Sequence, residues 1–534
     1  MRRKFIGPFL RPLLKNKHPD SRREDRESKN LPPSEPCLQQ SLVENLALLQ
    51  KIFDHCEDVI FREFTIGEQQ ARAAIIWLDG TVDRQLIDDI VLQSLMQEAR
   101  KLPPNGDISP PQLHTLIRDS LLSTTSIVES YKIPDLVDRV LTGFCAILID
   151  GVEVSIVASV RGEQMRSVTE PETEAVVRGP RQGFTENIRV GSALIRRIIK
   201  TPDLKLETRK LGRLTKTDVA ILYIQGIADE KVIQEVRQRL GRIQVDSILE
   251  SAYIEELIED QPFSPFPQIA HTERPDKAAA ELLEGRVVIL IDGTPFALIV
   301  PTLFVQFLQS SEDYYERYFF AFLIRSVRFL FLLIALSLPS IYIAATTYHQ
   351  EMLPTPLLIS IAGARQGVPF PAFLEALLME VAFEALREAG VRLPKTVGQA
   401  VSIVGALVIG EAAVRAGIVS SAMVIIVSLT AIASFAIPAF NLAITVRMLR
   451  FPLMILAAVF GFYGIMLGYL ALLIHICSLR SFGVPYLTPI SPFKRQGMKD
   501  VLFRAPWWRM NNRPGGISPN NRQRQNTPRP GPKS

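Results

Sequence analysis

Hydrophobic residues are arranged in two ways along this chain. Before about residue 310 they recur in short periodic groups; after it they form long unbroken runs. From Ser41 on, Leu42, Leu46, Leu49, Ile52, Phe53 and Val59 recur at helical spacing and predict an amphipathic helix. Residues 73–80 (AAIIWLDG) read as a buried strand ending in a turn. Asp83 then opens a helix with Leu86, Ile87 and Ile90 on one face. Farther on, 144–149, Asp150-Gly151 and 152–158 read as a hairpin with a two-residue Asp-Gly turn.

These landmarks return. Residues 74–80 (AIIWLDG) are matched by 220–226 (AILYIQG), and Asp229 with Val232, Ile233 and Val236 repeats the helix start. Val287 to Ile291 followed by Asp292-Gly293 repeats the hairpin. The two recurrences predict two related α/β subdomains, about 43–160 and 185–302, within domains 41–165 and 166–310. Between them, Gly179, Pro180 and Gly183 mark a turn-rich loop shaped to dock the subdomains, and Arg196 and Arg197 are expected to be solvated.

The second half has a different period. Phe329–Tyr348, Ala416–Val446 and Phe451–Ile474 contain no Asp, Glu, Lys, Arg or His. A helix needs about 20 apolar residues to cross a hydrocarbon core, so 311–480 reads as an α-helical polytopic membrane domain. Spans are expected at about 329–350, 397–415, 417–437 and 452–476, with a loop at Asn441–Arg450 and an interfacial or re-entrant piece at Met352–Ala364. Tyr314, Tyr315, Arg325 and Arg328 read as interfacial anchors.

A charged helix, about 372–389, interrupts the apolar block. Glu380, Glu384, Arg387 and Glu388 share one stripe of it, and charge is expensive at membrane depth. Glu380 and Glu384 are therefore candidates to face a pore or lumen. Arg387 with Glu388, and Glu411 with Arg415 at i,i+4 spacing, are candidate helix-positioning charges. Gly464 and Gly468 form a GxxxG, a candidate helix-packing face.

Composition adds limits. The formal charge of +5 does not suggest a nucleic-acid partner. Its excess sits in the polar arm 1–40 and the tail 481–534, both expected to be largely disordered. Cys37, Cys56, Cys145 and Cys477 have neither zinc-ligand nor disulfide-framework spacing. HExxH, GxSxG, GxxxxGK[ST] and GxGxxG are absent, so neither an enzyme nor a metal or cofactor site is expected. A transporter would repeat within its membrane block, whereas this chain repeats in its soluble half.

Several strings resemble the A subunits of the GerA family of spore germinant receptors. They include 174–187 (EAVVRGPRQGFTEN), 246–251 (DSILES), 264–268 (SPFPQ), 272–277 (TERPDK) and 312–317 (EDYYER). In the membrane block they include 368–371 (VPFP), 383–390 (FEALREAG), 402–410 (SIVGALVIG) and 430–435 (TAIASF). The resemblance implies a multi-pass protein of the inner spore membrane of an endospore-forming bacterium. It implies two partners, a transporter-like B subunit and a lipoprotein C subunit. It also implies nutrient-triggered ion release, with the A subunit as a homo-oligomeric conducting path. A paralogue that amplifies germination without sensing nutrient is the alternative within the family.

Overall fold

A computed structural model of the chain describes residues 36–66, 71–97, 99, 109–122, 124, 126–160, 170–392, 410–514, 517–518 and 521–530. Most of the expected disordered arm and most of the expected 397–415 span lie outside the described residues.

The soluble half is built on two five-stranded antiparallel sheets. The first holds β1 (Val59–Ile66), β2 (Ala71–Leu78), β3 (Ile127–Ser130), β4 (Phe144–Ile149) and β5 (Ser155–Ser159), ordered β1-β2-β4-β5-β3. The second holds β6 (Leu204–Leu211), β7 (Thr217–Ile224), β8 (Ala270–Thr272), β9 (Val287–Ile291) and β10 (Ala297–Val300), ordered β6-β7-β9-β10-β8. The order is the same, position for position. Register agrees as well: Ile75 faces Ile147 across the first sheet as Ile221 faces Ile289 across the second. Apolar clusters cover both faces of each sheet, so β9 is buried at every position and its sequence reads as a run rather than an alternation.

Helices α1 (Leu42–Ile52), α2 (Ile133–Leu141), α3 (Ile188–Ile198), α4 (Glu230–Arg242), α5 (Ser251–Ile258) and α6 (Pro275–Leu283) pack on these sheets. Val59, expected at the end of the first helix, instead opens β1, because α1 stops at Ile52. The two Asp-Gly pairs are not two-residue turns. Only the glycines take positive φ (83° at Gly151, 90° at Gly293), and residues 150–154 and 292–296 span the loops. The aspartates have another task. Asp150 Oδ1 accepts from the Leu42 N–H (3.0 Å), and Asp292 Oδ1 accepts from the Ile188 N–H (3.1 Å). Each ties the start of a subdomain's leading helix to its central hairpin, satisfying an N–H that the helix itself leaves unpaired.

Arg196 is not solvated. It is 1% exposed and grips Asp58 of the first subdomain with Nε and Nη2 (2.7 and 2.8 Å). The segment 174–187 docks chiefly on the second subdomain, where Arg274 donates to the Glu174 and Pro180 carbonyls. Gly179 sits at φ 139°, and a Cβ there would lie 2.7 Å from the Tyr315 ring, so this approach needs glycine.

The other half is helical: α7 (Tyr318–Thr347), α8 (Thr355–Arg365), α9 (Ala372–Arg392), a helical stretch 410–415, α10 (Ser421–Phe435) and α11 (Phe440–Ser478). Among the described residues, α7 and α11 are long and apolar enough to cross a membrane, and α10 is a shorter apolar helix. α7 starts well before the expected 329. The expected loop 441–450 is helical, so Arg447 and Arg450 lie on α11. α11 breaks at Gly461 (φ 62°, ψ −141°). Asn441 and His475, near its two ends, hydrogen-bond to His271 and Ser264 of the second subdomain. Gly461 packs against Tyr348 and His349 at the far end of α7. The chain therefore reverses at Gly461, and α11 is two antiparallel arms.

The second sheet sits directly on the near ends of these helices. Leu194, Leu222 and Ile299 share one apolar cluster with Ala335 of α7, Ala433 of α10 and Val446 of α11. Parts of the tail after Arg480 are packed, at 481–489 and around Val501 and Ile517, where composition led to an expectation of disorder, while 521–530 is mostly exposed. The Tyr486 ring is fully buried with its hydroxyl donating to the Pro267 carbonyl (2.6 Å), and Ser481, Val501 and Ile517 are also buried. A few large side chains anchor it despite the polar average. Glu259, at the end of α5 close to this seam, has its carboxyl pushed up to about 7, first by burial and then by the Glu255 charge.

Candidate functional site

The charged residues of α9 meet basic residues of α11 inside the helical block. Glu380 forms a buried ion pair with Arg450, each about 2% exposed, and Arg450 Nε donates to the Ala335 carbonyl of α7 (2.7 Å). One turn on, Glu384 accepts from Arg447 Nη1 (2.8 Å) and lies 3.6 Å from Arg387. Arg387 donates to Ser434 Oγ of α10 (3.1 Å) and stacks over the Phe435 ring at 4.7 Å. Four helices are thus tied together by three guanidiniums and two carboxylates. In this chain the Glu380 carboxylate points at a cation between helices. The stripe identifies the charged face of α9, but the partners come from the first part of α11, residues 441–450, which was expected to be a loop.

The other candidate charges separate from this network. Arg387 pairs with Glu384 and not with Glu388, which instead pairs with Arg392 on an exposed surface. Glu411 and Arg415 pair with each other as expected, also exposed. Gly464 and Gly468 lie between the two arms of α11. A Cβ at Gly464 would collide with the Leu456 carbonyl oxygen, and one at Gly468 would be 2.6 Å from a Leu453 methyl.

Three features escaped the sequence reading. Glu375 is completely buried and accepts from the Ser420 N–H and hydroxyl at the start of α10 (3.0 and 2.8 Å) and from Arg365 of α8 (3.2 Å). A carboxylate at a helix N-terminus satisfies orphan N–H groups and complements the dipole. Arg325 is no interfacial anchor. It is buried and bonds Asp313 and Asp500 (2.9 and 2.8 Å), while Tyr314 donates to the other Asp500 oxygen (2.8 Å), so the tail is tied to the first turns of α7. The third is a cavity of about 840 Å³ between the second sheet and the near ends of α7, α9, α10 and α11. Its floor carries Arg328, Arg387 and Arg447, and its roof carries Arg274 and Lys277.

The fold is a duplicated α/β region seated on a bundle of apolar helices, two of them long and apolar enough to cross a membrane, with ion pairs inside the bundle. Comparison gives the family. Residues 47–515 match the family described as "Bacillus/Clostridium GerA spore germination protein". The chain is 52% identical over 491 residues to spore germination protein KA of Bacillus subtilis (strain 168), covering 91% of this chain and 89% of that protein. It is 40% identical over 477 residues to spore germination protein GerLA of Bacillus cereus, covering 89% and 96%. It is also similar to the crystal structure of the N-terminal domain of the A subunit of the Bacillus megaterium spore germinant receptor GerK3, with 40% identity and a TM-score of 0.40, covering 51% of this chain and 99% of that one. The chain belongs to the GerA spore germination family.

Proposed function

We propose that this chain is the membrane-embedded, non-enzymatic A-type subunit of a nutrient germinant receptor. It works in the inner membrane of an endospore with a transporter-like B subunit and a lipoprotein C subunit, and its copies assemble around an ion-conducting path. The observation that carries this reading is the ion-paired network of Glu380, Glu384, Arg387, Arg447 and Arg450, set among apolar helices directly beneath the soluble sheets. Ionisable groups set among apolar helices point to a functional site, such as an ion path or switch element. In the conformation described, the carboxylates are held by arginines, as in a resting state. Glu380 Oε1 and Arg450 Nη2 have no hydrogen-bond partner among the described residues, which leaves capacity for a second arrangement.

An even number of crossings fits the positions of the described helix ends. α7 runs away from the second sheet and α9 returns; α10 ends beside the second sheet; the two arms of α11 leave and come back. Both ends of the block then lie on the side of the soluble half, as the flanking basic residues favour.

The test is a spore strain whose sole receptor consists of this chain with its B and C subunits. Nutrient should trigger cation release, and loss of this chain should abolish it. Unchanged release without the chain would sink the reading. Release that this chain accelerates only when another receptor is present would make it an amplifying subunit.

A further inference from the structure

The cavity under the second sheet has an unbalanced floor. On the roof, cations are matched one for one: Arg274 pairs with Asp276, and Lys277 with Glu174. At one side of the floor, Arg325 and Arg328 share Asp313 and Asp500. At the other, Arg387, Arg447 and Arg450 share only Glu380 and Glu384. One positive charge is left over among these described residues, and Arg387 and Arg447 both line the cavity. A surplus guanidinium partly shielded from water favours an anion that completes it. The volume lies within the roughly 300–1,000 Å³ of ordinary ligand sites.

The surroundings say what kind of anion. Phe435 and Phe440 line the same cavity and are 72% and 59% exposed, at the near ends of the two most apolar helices flanking it. The site therefore presents planar, bidentate phosphate donors beside an aromatic, lipid-facing exit. Basic pockets between membrane helices take phospholipid head groups by this chemistry.

We propose that this cavity binds the phosphate-bearing head group of an anionic phospholipid, held by Arg387 and Arg447, with the acyl chains leaving over Phe435 and Phe440. Lipid bound there is wedged between the second sheet and the helices, so it stiffens the joint between the halves. The inference rests on the chain being membrane-embedded, and carbonate extraction of the expressed protein tests that separately: release into the soluble fraction would sink the membrane reading itself.

For the site, the full chain is purified in a neutral detergent and delipidated. Its thermal midpoint is followed during titration with phosphatidylglycerol, phosphatidylcholine or inorganic phosphate. Phosphatidylglycerol should raise the midpoint saturably and phosphatidylcholine should not. An equal rise with inorganic phosphate would make the natural occupant free phosphate. Two variants separate binding from folding because they act in opposite directions. Arg387→Gln should weaken phosphatidylglycerol binding about tenfold, the scale of one charge-assisted hydrogen bond. Glu384→Gln removes a competing carboxylate and should tighten it by several-fold. If Arg387→Gln does not fold, the tightening in Glu384→Gln decides alone. Equal response to both lipids, or weaker binding in Glu384→Gln, would overturn the proposal.

Discussion

Glu380 of α9 and Arg450 of α11 form a buried ion pair inside the helical block, and Arg450 also holds the Ala335 carbonyl of α7. One contact thus joins three helices that are far apart in sequence. Breaking such a pair leaves a buried charge alone, which costs about 3–5 kcal/mol, whereas replacing both partners by apolar groups is often neutral or stabilising. Arg450→Met should therefore reduce the amount of folded protein sharply. Glu380→Met combined with Arg450→Met should recover most of it, as read by the thermal midpoint in detergent. If the double variant also fails to release cations on nutrient addition, the pair serves gating as well as folding. No recovery in the double variant would show that the pair is not an isolated packing unit.

The glycines of α11 make an intramolecular contact. Gly464→Leu should disrupt the reversal at Gly461, because its side chain would enter the space of the Leu456 carbonyl. The expected result is loss of the folded chain itself, seen as aggregation on size exclusion. A folded protein that had lost only its higher oligomers would place this GxxxG between subunits instead.

Asp150 and Asp292 have the same role in the two subdomains. Asp150→Ala and Asp292→Ala should each cost about 0.5–2 kcal/mol, the range for a lost helix N-terminal acceptor. Similar shifts in thermal midpoint are expected for both. A large effect from one and none from the other would show that the duplication no longer shares its energetics.

Glu259 gives a pH dependence with a definite sign. Its carboxyl titrates near 7 in the folded chain, against about 4.3 in an unfolded one. The folded state therefore favours the protonated form. Its contribution is fully present below about pH 4.3 and is lost as pH rises towards 7, then stays flat. Glu259→Gln should raise the thermal midpoint at pH 8 and leave it unchanged near pH 4. A stabilisation of equal size at both values would rule out titration of this group as the cause.

The sequence by itself determined the division into a periodic half and an apolar half, because runs of about 20 apolar residues suit a hydrocarbon core. It determined the duplication, since strand, turn and helix starts are local patterns, and Ile75 and Ile221 recur within them. It also showed which face of α9 carries charge, because that follows from helical spacing alone. Only the tertiary structure decided what that charge does. Glu380 finds Arg450, 70 residues away, and Glu384 finds Arg447, and no local periodicity records a pairing between helices. The same limit explains Arg196. A basic residue in an amphipathic helix looks solvated until Asp58 of the other subdomain arrives, and only then does burial become cheaper than exposure. The tail misled for the converse reason. Its average composition is that of a disordered chain, but order depends on a few well-placed contacts, such as Tyr486 under Pro267 and Asp500 on Arg325. Whether a polar segment folds, and which charges meet, is decided by surfaces that exist only once the rest of the chain has packed.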